Sequence, residues 1–177
     1  YQSVAKDFSR TRQKPWEGWG RVIENIKKYF GTGQSPQPYG RIKVLDLGCG
    51  NGRFFNFLNE NLSNVVYTGI DINNDLLGDF RTQSGTRSKI GSNLRARPCT
   101  GPGPVFLTHD VISDMDKVSG KFDIVVAFGL THHIPGDSFR KRWFKKLPKL
   151  LSSAKSLLVL SFWEFEKKPG DYLVSWG

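Results

Sequence analysis

Asp46, Gly48, Gly50 and Gly52 stand in one short stretch, Asp46-Leu47-Gly48-Cys49-Gly50-Asn51-Gly52. An acid beside closely spaced glycines is a ligand-binding pattern. Glycine permits positive φ and lets a ligand approach bare backbone. The spacing is D-x-G-x-G-x-G. Dinucleotide sites use G-x-G-x-x-G, where a pyrophosphate rests on a helix N-terminus. A carboxylate at the mouth of the turn suits a cationic ligand better than a pyrophosphate. A second acid, Asp71, follows about 20 residues past the turn, where nucleotide-binding sheets place the acceptor for ribose hydroxyls. A third acid, Asp110, could accept from an adenine exocyclic amine, with Val111 supplying a backbone N–H. His132 and His133 are adjacent on a loop. Neighbouring histidines do not easily face one ion and only His109 could add a ligand, so no metal is expected. His132 is instead expected to line a reaction pocket.

These residues need elements to hold them. Ile42, Val44, Leu45 and Leu47 form an apolar run suited to a parallel strand covered on both faces. Phe54, Phe55, Phe57, Leu58 and Leu62 continue at helical spacing. Strand, glycine turn and helix make the first half of a nucleotide-binding βαβ unit. Further strands are predicted at Val65–Ile72, Val105–Thr108, Lys121–Phe128 and Ser156–Phe162. Trp16–Tyr29 reads as an amphipathic helix, and Asp137–Leu151 as a basic one that Pro148 disturbs near its end. Tyr1–Arg10 reads as a short helix, and Gly31–Gly40 as a loop. Leu76–Phe80 starts a helix that gives way to a long basic loop, Arg81–Pro104. Alternating strands and crossovers imply an α/β fold with a mostly parallel sheet. Its carboxyl edge would gather Asp46 with the glycines and Cys49, then Asp71 and Ile72, Asp110 and Val111, and Phe128, Gly129, Leu130 and His132.

The chain has 177 residues, a one-domain length. Lys and Arg number 26 against 16 Asp and Glu, a net charge of +10 that favours a polyanionic partner such as nucleic acid. Cys49 and Cys99 make no disulfide framework. No apolar run approaches a membrane span and no signal peptide is visible, so a cytoplasmic setting is expected.

The stretch VLDLGCGNG resembles motif I of the class I S-adenosylmethionine (SAM) methyltransferases. That resemblance implies a Rossmann-like sheet and SAM as cofactor. It implies a cofactor site of Asp46, Gly48, Cys49, Gly50, Gly52, Asp71, Ile72, Asp110, Val111, Phe128, Gly129 and Leu130. A second resemblance is more specific. Y-x-x-x-A-x-x-F-S-x-T-R-x-K-P-W at the start, with GIDI and FDIVVAFGLTHHI, is similar to the tRNA methyltransferases that esterify wobble carboxymethyluridine. It implies an N-terminal helical lid and linker over residues 1–40 and a SAM-binding core over 41–177. It implies tRNA as partner and, as in some relatives, a small activator subunit. The family's last strands are expected to be at least partly absent, although GDYLVSW resembles a segment that relatives carry there. An acceptor carboxylate is ionised at neutral pH, so no strong general base is required. Arg12 and Lys14 are candidates to orient it, and Arg140, Arg142 and Lys146 are expected to face solvent and RNA. The residues alone leave open a small-molecule acceptor or a non-catalytic RNA-binding scaffold.

Overall fold

A computed structural model describes residues 14–31, 40–76 and 103–162. The predicted first helix, Arg12, most of the basic loop, Cys99 and the tail lie outside the described residues.

Alternation along β1 (Ile42–Leu47) sets the architecture. Ile42 and Val44 point to one face and Leu45 and Leu47 to the other, all buried, so both faces need cover. The sheet is five-stranded and wholly parallel, in the order β3-β2-β1-β4-β5. The other strands are β2 (Val65–Asp71), β3 (Val105–Thr108), β4 (Ile124–Ala127) and β5 (Leu157–Leu160). The predicted fourth and fifth strands are longer than those formed. Lys121 leaves the sheet and donates through Nζ to the carbonyls of Lys149 and Leu151.

The first face is covered by α1 (Gly18–Phe30) and α2 (Arg53–Asn61). Trp19, Val22, Ile23 and Ile26 of α1 pack with Phe54, Phe55 and Leu58 of α2 on Val44, Tyr67, Ile124 and Val126. The helix before the glycine turn therefore shares the core of the sheet. The second face is covered by α3 (Asp137–Phe144) and by the segment after β3. Trp143 is the anchor there. It is fully buried with Val111, Met115, Ile134 and Leu147, and its Nε1 donates to the Val111 carbonyl at 2.7 Å.

The long basic helix predicted to Leu151 is shorter. Continuing it would require an N–H from Pro148 to Phe144, which proline lacks, and its ring would strike that carbonyl. The α-helix ends at Phe144 and the chain proceeds as a 3-10 turn over Leu147–Leu150.

Gly69 is closely packed on the first face. A Cβ there would lie 2.8 Å from Cys49 Sγ and 2.9 Å from the Phe106 ring. Gly69→Ala is expected to destabilise the fold by about 1–3 kcal/mol through overpacking, read as a lower urea midpoint at unchanged slope.

Candidate functional site

The strand order reverses at β1, between β2 and β4. Open α/β sheets bind ligands at the carboxyl edge of such a switch point. Two loops meet there. The glycine turn follows β1, with Gly48, Gly50 and Gly52 at φ of 73°, 55° and 72°. The loop after β4 supplies Leu130, whose Cδ1 would lie 3.1 Å from a Cβ on Gly48. Gly48 is thus required twice, for its backbone and for this approach.

The amides of the turn are spent on the protein. Gly48 and Cys49 N–H donate to the Ile70 carbonyl at 2.8 and 3.1 Å, and Gly50 N–H donates to Asp71 Oδ2 at 2.8 Å. A phosphate-cradling loop would aim those groups at the ligand. This turn is moulded instead onto the end of β2. Asp71 Oδ1 accepts from Asn73 N–H at 2.8 Å. Burial raises the Asp71 pKa, and the N–H groups of Asn73, Gly50 and Ile72 pull it back. The carboxylate is therefore fixed in place, with further acceptor capacity on each oxygen. Ile72 beside it is 65% exposed, an apolar surface next to an acid.

Asp46 differs. It is buried on the first face, and Tyr67 Oη donates to its Oδ2. Its Oδ1 is buried with no hydrogen-bond partner among the described residues. Burial pushes the Asp46 pKa up to about 7, with Tyr67 lowering it, Asp71 raising it and Arg53 lowering it. A buried carboxyl with an unused oxygen fits a cationic ligand.

The other predicted residues divide. Cys49 turns its thiol into the core, against Gly69, and burial with Asp46 and Asp71 nearby raises its pKa well above the usual value. Its backbone, not its sulfur, belongs to the turn. Asp110 caps its own turn, taking N–H groups of Ile112 and Ser113 on Oδ1 and the Ser113 hydroxyl on Oδ2. Burial would raise its pKa, but the Ser113 hydroxyl, those N–H groups and His109 hold it below the usual value. Val111 faces the second core with its side chain. Phe128 is half-buried among Trp16, Trp19 and Phe54. Gly129, at φ 63°, donates its N–H to Ser161 Oγ at 2.7 Å. His132 and His133 are exposed, with ring centroids 4.1 Å apart. Among the described residues no group of three or more metal-ligating side chains forms, and no helix is long and apolar enough to cross a membrane.

Arg53 and Tyr67 at this edge carry no motif in the sequence, and Trp16, the last residue of the N-terminal motif, joins them. Trp16 sits over Gly129, where a Cβ would be 3.3 Å from its Cη2. Arg53 stacks on Trp16 and Trp19 at 5.1 and 5.3 Å and donates to the Lys14 carbonyl at 3.1 Å. These contacts bring the segment before α1 to the switch point. A cation in the first turn of a helix opposes the helix dipole, so Arg53 carried a signal. Tyr67, on the face of Asp46 in an apolar strand, was another. Arg140 and Lys146 were expected in solvent and are not free. Arg140 is half-buried and donates to the Ile134 carbonyl at 3.2 Å, because it sits on the side of α3 nearest the loop that precedes it. Lys146 pairs with Asp116 at 2.6 Å. Lys141, Arg142, Lys145 and Lys149 are exposed.

A parallel sheet in this order, with a D-x-G-x-G-x-G turn pinned to an acid at the end of β2, defines the fold of the class I methyltransferases. Comparison with known proteins assigns the family: residues 45–155 match the methyltransferase domain, and the chain belongs to that family. It is 28% identical over 99% of its length to a tRNA (carboxymethyluridine(34)-5-O)-methyltransferase of Schizosaccharomyces pombe, and spans 65% of that protein. It is 27% identical over 99% of its length to a putative methyltransferase of Encephalitozoon cuniculi, spanning 71% of it. Among solved structures, a SAM-bound amino pentose methyltransferase from Micromonospora echinaspora superposes with a TM-score of 0.60 at 18% identity, over 94% of this chain and 58% of the other. A SAM-dependent methyltransferase from Clostridium acetobutylicum gives 0.58 at 17% identity, over 90% and 56%.

The buried carboxyl makes a stability prediction. Asp46 holds its proton more tightly in the folded state than in the unfolded chain, where its pKa is near 3.8. The folded state therefore binds more protons between pH 4 and 7, and stability falls as pH rises across that window. Denaturation of the ligand-free protein should show this fall, and Asp46→Asn should make it shallower.

Proposed function

We propose that the chain binds SAM at the carboxyl edge of β1, β2 and β4 and directs its methyl group to a tRNA wobble carboxymethyluridine. The observation that carries the cofactor reading is the pinned turn. Asp71 is fixed against Gly50 with acceptor capacity left for ribose hydroxyls. Asp46 presents a buried oxygen with no partner among the described residues, as a ligand ammonium requires. Ile72 offers an exposed apolar side chain to a nucleobase, and Gly48 and Leu130 meet at the floor, with Gly52 closing the turn at positive φ. Asp110 and Val111 border the adenine end. When bound, SAM supplies a methyl group already activated on a sulfonium.

The chain's own part is then positioning and exclusion of water. An acceptor carboxylate is ionised at pH 7, and cations hold it in line through charge-assisted hydrogen bonds. Arg12 and Lys14 are the candidates. The Arg53 hydrogen bond to the Lys14 carbonyl supports the approach of Lys14 to the site. His132, at the carboxyl end of β4, lines the same edge. The tRNA reading is supported by the similarity to the fission-yeast enzyme along nearly the whole chain, and by the net charge. Lys141, Arg142, Lys145 and Lys149 are the exposed cations of α3 and the turn after it, and they suit a phosphate backbone better than Arg140 and Lys146.

Titration calorimetry tests the cofactor. Wild type should bind SAM, and Asp71→Ala should weaken binding at least tenfold. Incubation with labelled SAM and tRNA lacking the terminal methyl ester, followed by nucleoside analysis, tests the acceptor. Label in the carboxymethyl ester is expected, and label on no nucleoside, with and without a small activator subunit supplied, would exclude tRNA. Lys141→Ala with Lys145→Ala should weaken tRNA binding and flatten its salt slope, with SAM affinity unchanged. The slope should fall by roughly 0.7–0.9 log units for each phosphate that is no longer neutralised.

A further inference from the structure

Tyr67 lies inside β2, paired in register with Val44 and two residues before Gly69, the partner of Asp46. Both side chains point into the first face, so the phenol reaches up the sheet to Asp46 Oδ2. Tyr67 is 1% exposed and Asp46 2%. A tyrosine hydroxyl at this depth must find a partner. It could have met a carbonyl or a neutral side chain. It meets the acid that opens the glycine turn. Aromatic neighbours fix the ring, with Phe55 at 5.1 Å and Phe106 at 5.7 Å between centroids. One carboxyl oxygen is thereby committed, and the other keeps its acceptor sites unused among the described residues.

We propose that Tyr67 is a positioning residue for the cationic end of the cofactor: its hydroxyl holds Asp46 with Oδ1 available and sets the pH below which Asp46 no longer accepts a cation. This rests on the cofactor reading above. Among the described residues few titratable groups face Asp46. Tyr67 and Asp71 come from β2, Arg53 from α2 and Cys49 from the turn, while its β4 partner is Val126. Of these, Asp71 is committed to Gly50 and Asn73 N–H groups and Arg53 to the Lys14 carbonyl. Cys49 and Tyr67 stay protonated, because burial and the neighbouring acids raise both. Among the described residues Tyr67 is the group seen to donate to the carboxyl. A donor to a carboxylate favours the ionised form. Asp46 is poised at about 7, so that donor acts near neutral pH.

The test measures SAM dissociation constants from pH 5.5 to 8.5 for wild type and Tyr67→Phe. The cofactor's own amino group titrates alike against both proteins and cancels in their ratio. A hydrogen bond to a charged group moves the midpoint by about one pH unit. Tyr67→Phe should therefore bind roughly tenfold more weakly at pH 6 and within about twofold of wild type at pH 8.5. Replacing the tyrosines with 3-fluorotyrosine, nearly isosteric and a stronger donor, should shift the wild-type midpoint to lower pH. This arm holds even if Tyr67→Phe does not fold. In an Asp46→Asn background the pH-dependent part of either change should vanish. A constant ratio across pH, or a midpoint that fluorination leaves unmoved, overturns the proposal while the cofactor reading stands. No SAM binding by wild type at any pH overturns both.

Discussion

The end of β2 holds the site together. The carbonyl of its penultimate residue, Ile70, and the side-chain carboxylate of its last, Asp71, take the N–H groups of Gly48, Cys49 and Gly50. A turn with three glycines at positive φ has little conformational preference of its own. Here the neighbouring strand supplies it. The register of β1 against β2, Asp46 beside Gly69 and Leu47 beside Ile70, fixes where the turn begins. A slip of one residue would carry Asp46 to the opposite face and leave those amides without acceptors. The same bonds decide what the turn can bind. Amides spent internally cannot wrap an anion, so in the proposed function recognition passes to side chains: the fixed carboxylate of Asp71 and the buried one of Asp46.

A second layer rests on the first. Arg53, at the start of α2, lies where a helix dipole disfavours a cation. Its compensation is the indole pair of Trp16 and Trp19 and the Lys14 carbonyl. Cation–π contacts of this kind contribute about 0.5–2 kcal/mol. Trp16 in turn rests on Gly129 and Phe128 beyond β4. On the other side Thr131 and Gly129 bond to Ser161 at the end of β5. The carboxyl edge is thus closed by contacts among residues far apart in sequence, while the apolar faces beneath it supply rigidity.

Much of this was legible in the sequence because it follows from local pattern. An apolar run before D-x-G-x-G-x-G marks β1 and the turn, and the distance to Asp71 marks the end of β2. What was not legible depends on which neighbour wins a contested group. Asp110 is readable as a ligand acid or a turn cap; the Ser113 hydroxyl and two N–H groups show the capping bonds, and its ligand role belongs to the proposed function. Cys49 sits in the turn by sequence but turns into the core because Gly69 leaves room for its sulfur. The basic helix reads too long, since apolar spacing continues through Pro148 although the hydrogen-bond ladder cannot. Arg140 and Lys146 look like solvent cations, and only tertiary contact supplies the Ile134 carbonyl and Asp116.

A crystal structure with S-adenosylhomocysteine is the most direct test of a site built on the end of β2. The nucleoside is expected at the carboxyl ends of β1, β2 and β4. Its ribose hydroxyls should be within hydrogen-bonding distance of Asp71 and its amino group turned toward Asp46, with the bonds from Gly48, Cys49 and Gly50 to β2 unchanged. A ligand held by freed turn amides, or bound away from Asp71, would contradict this account.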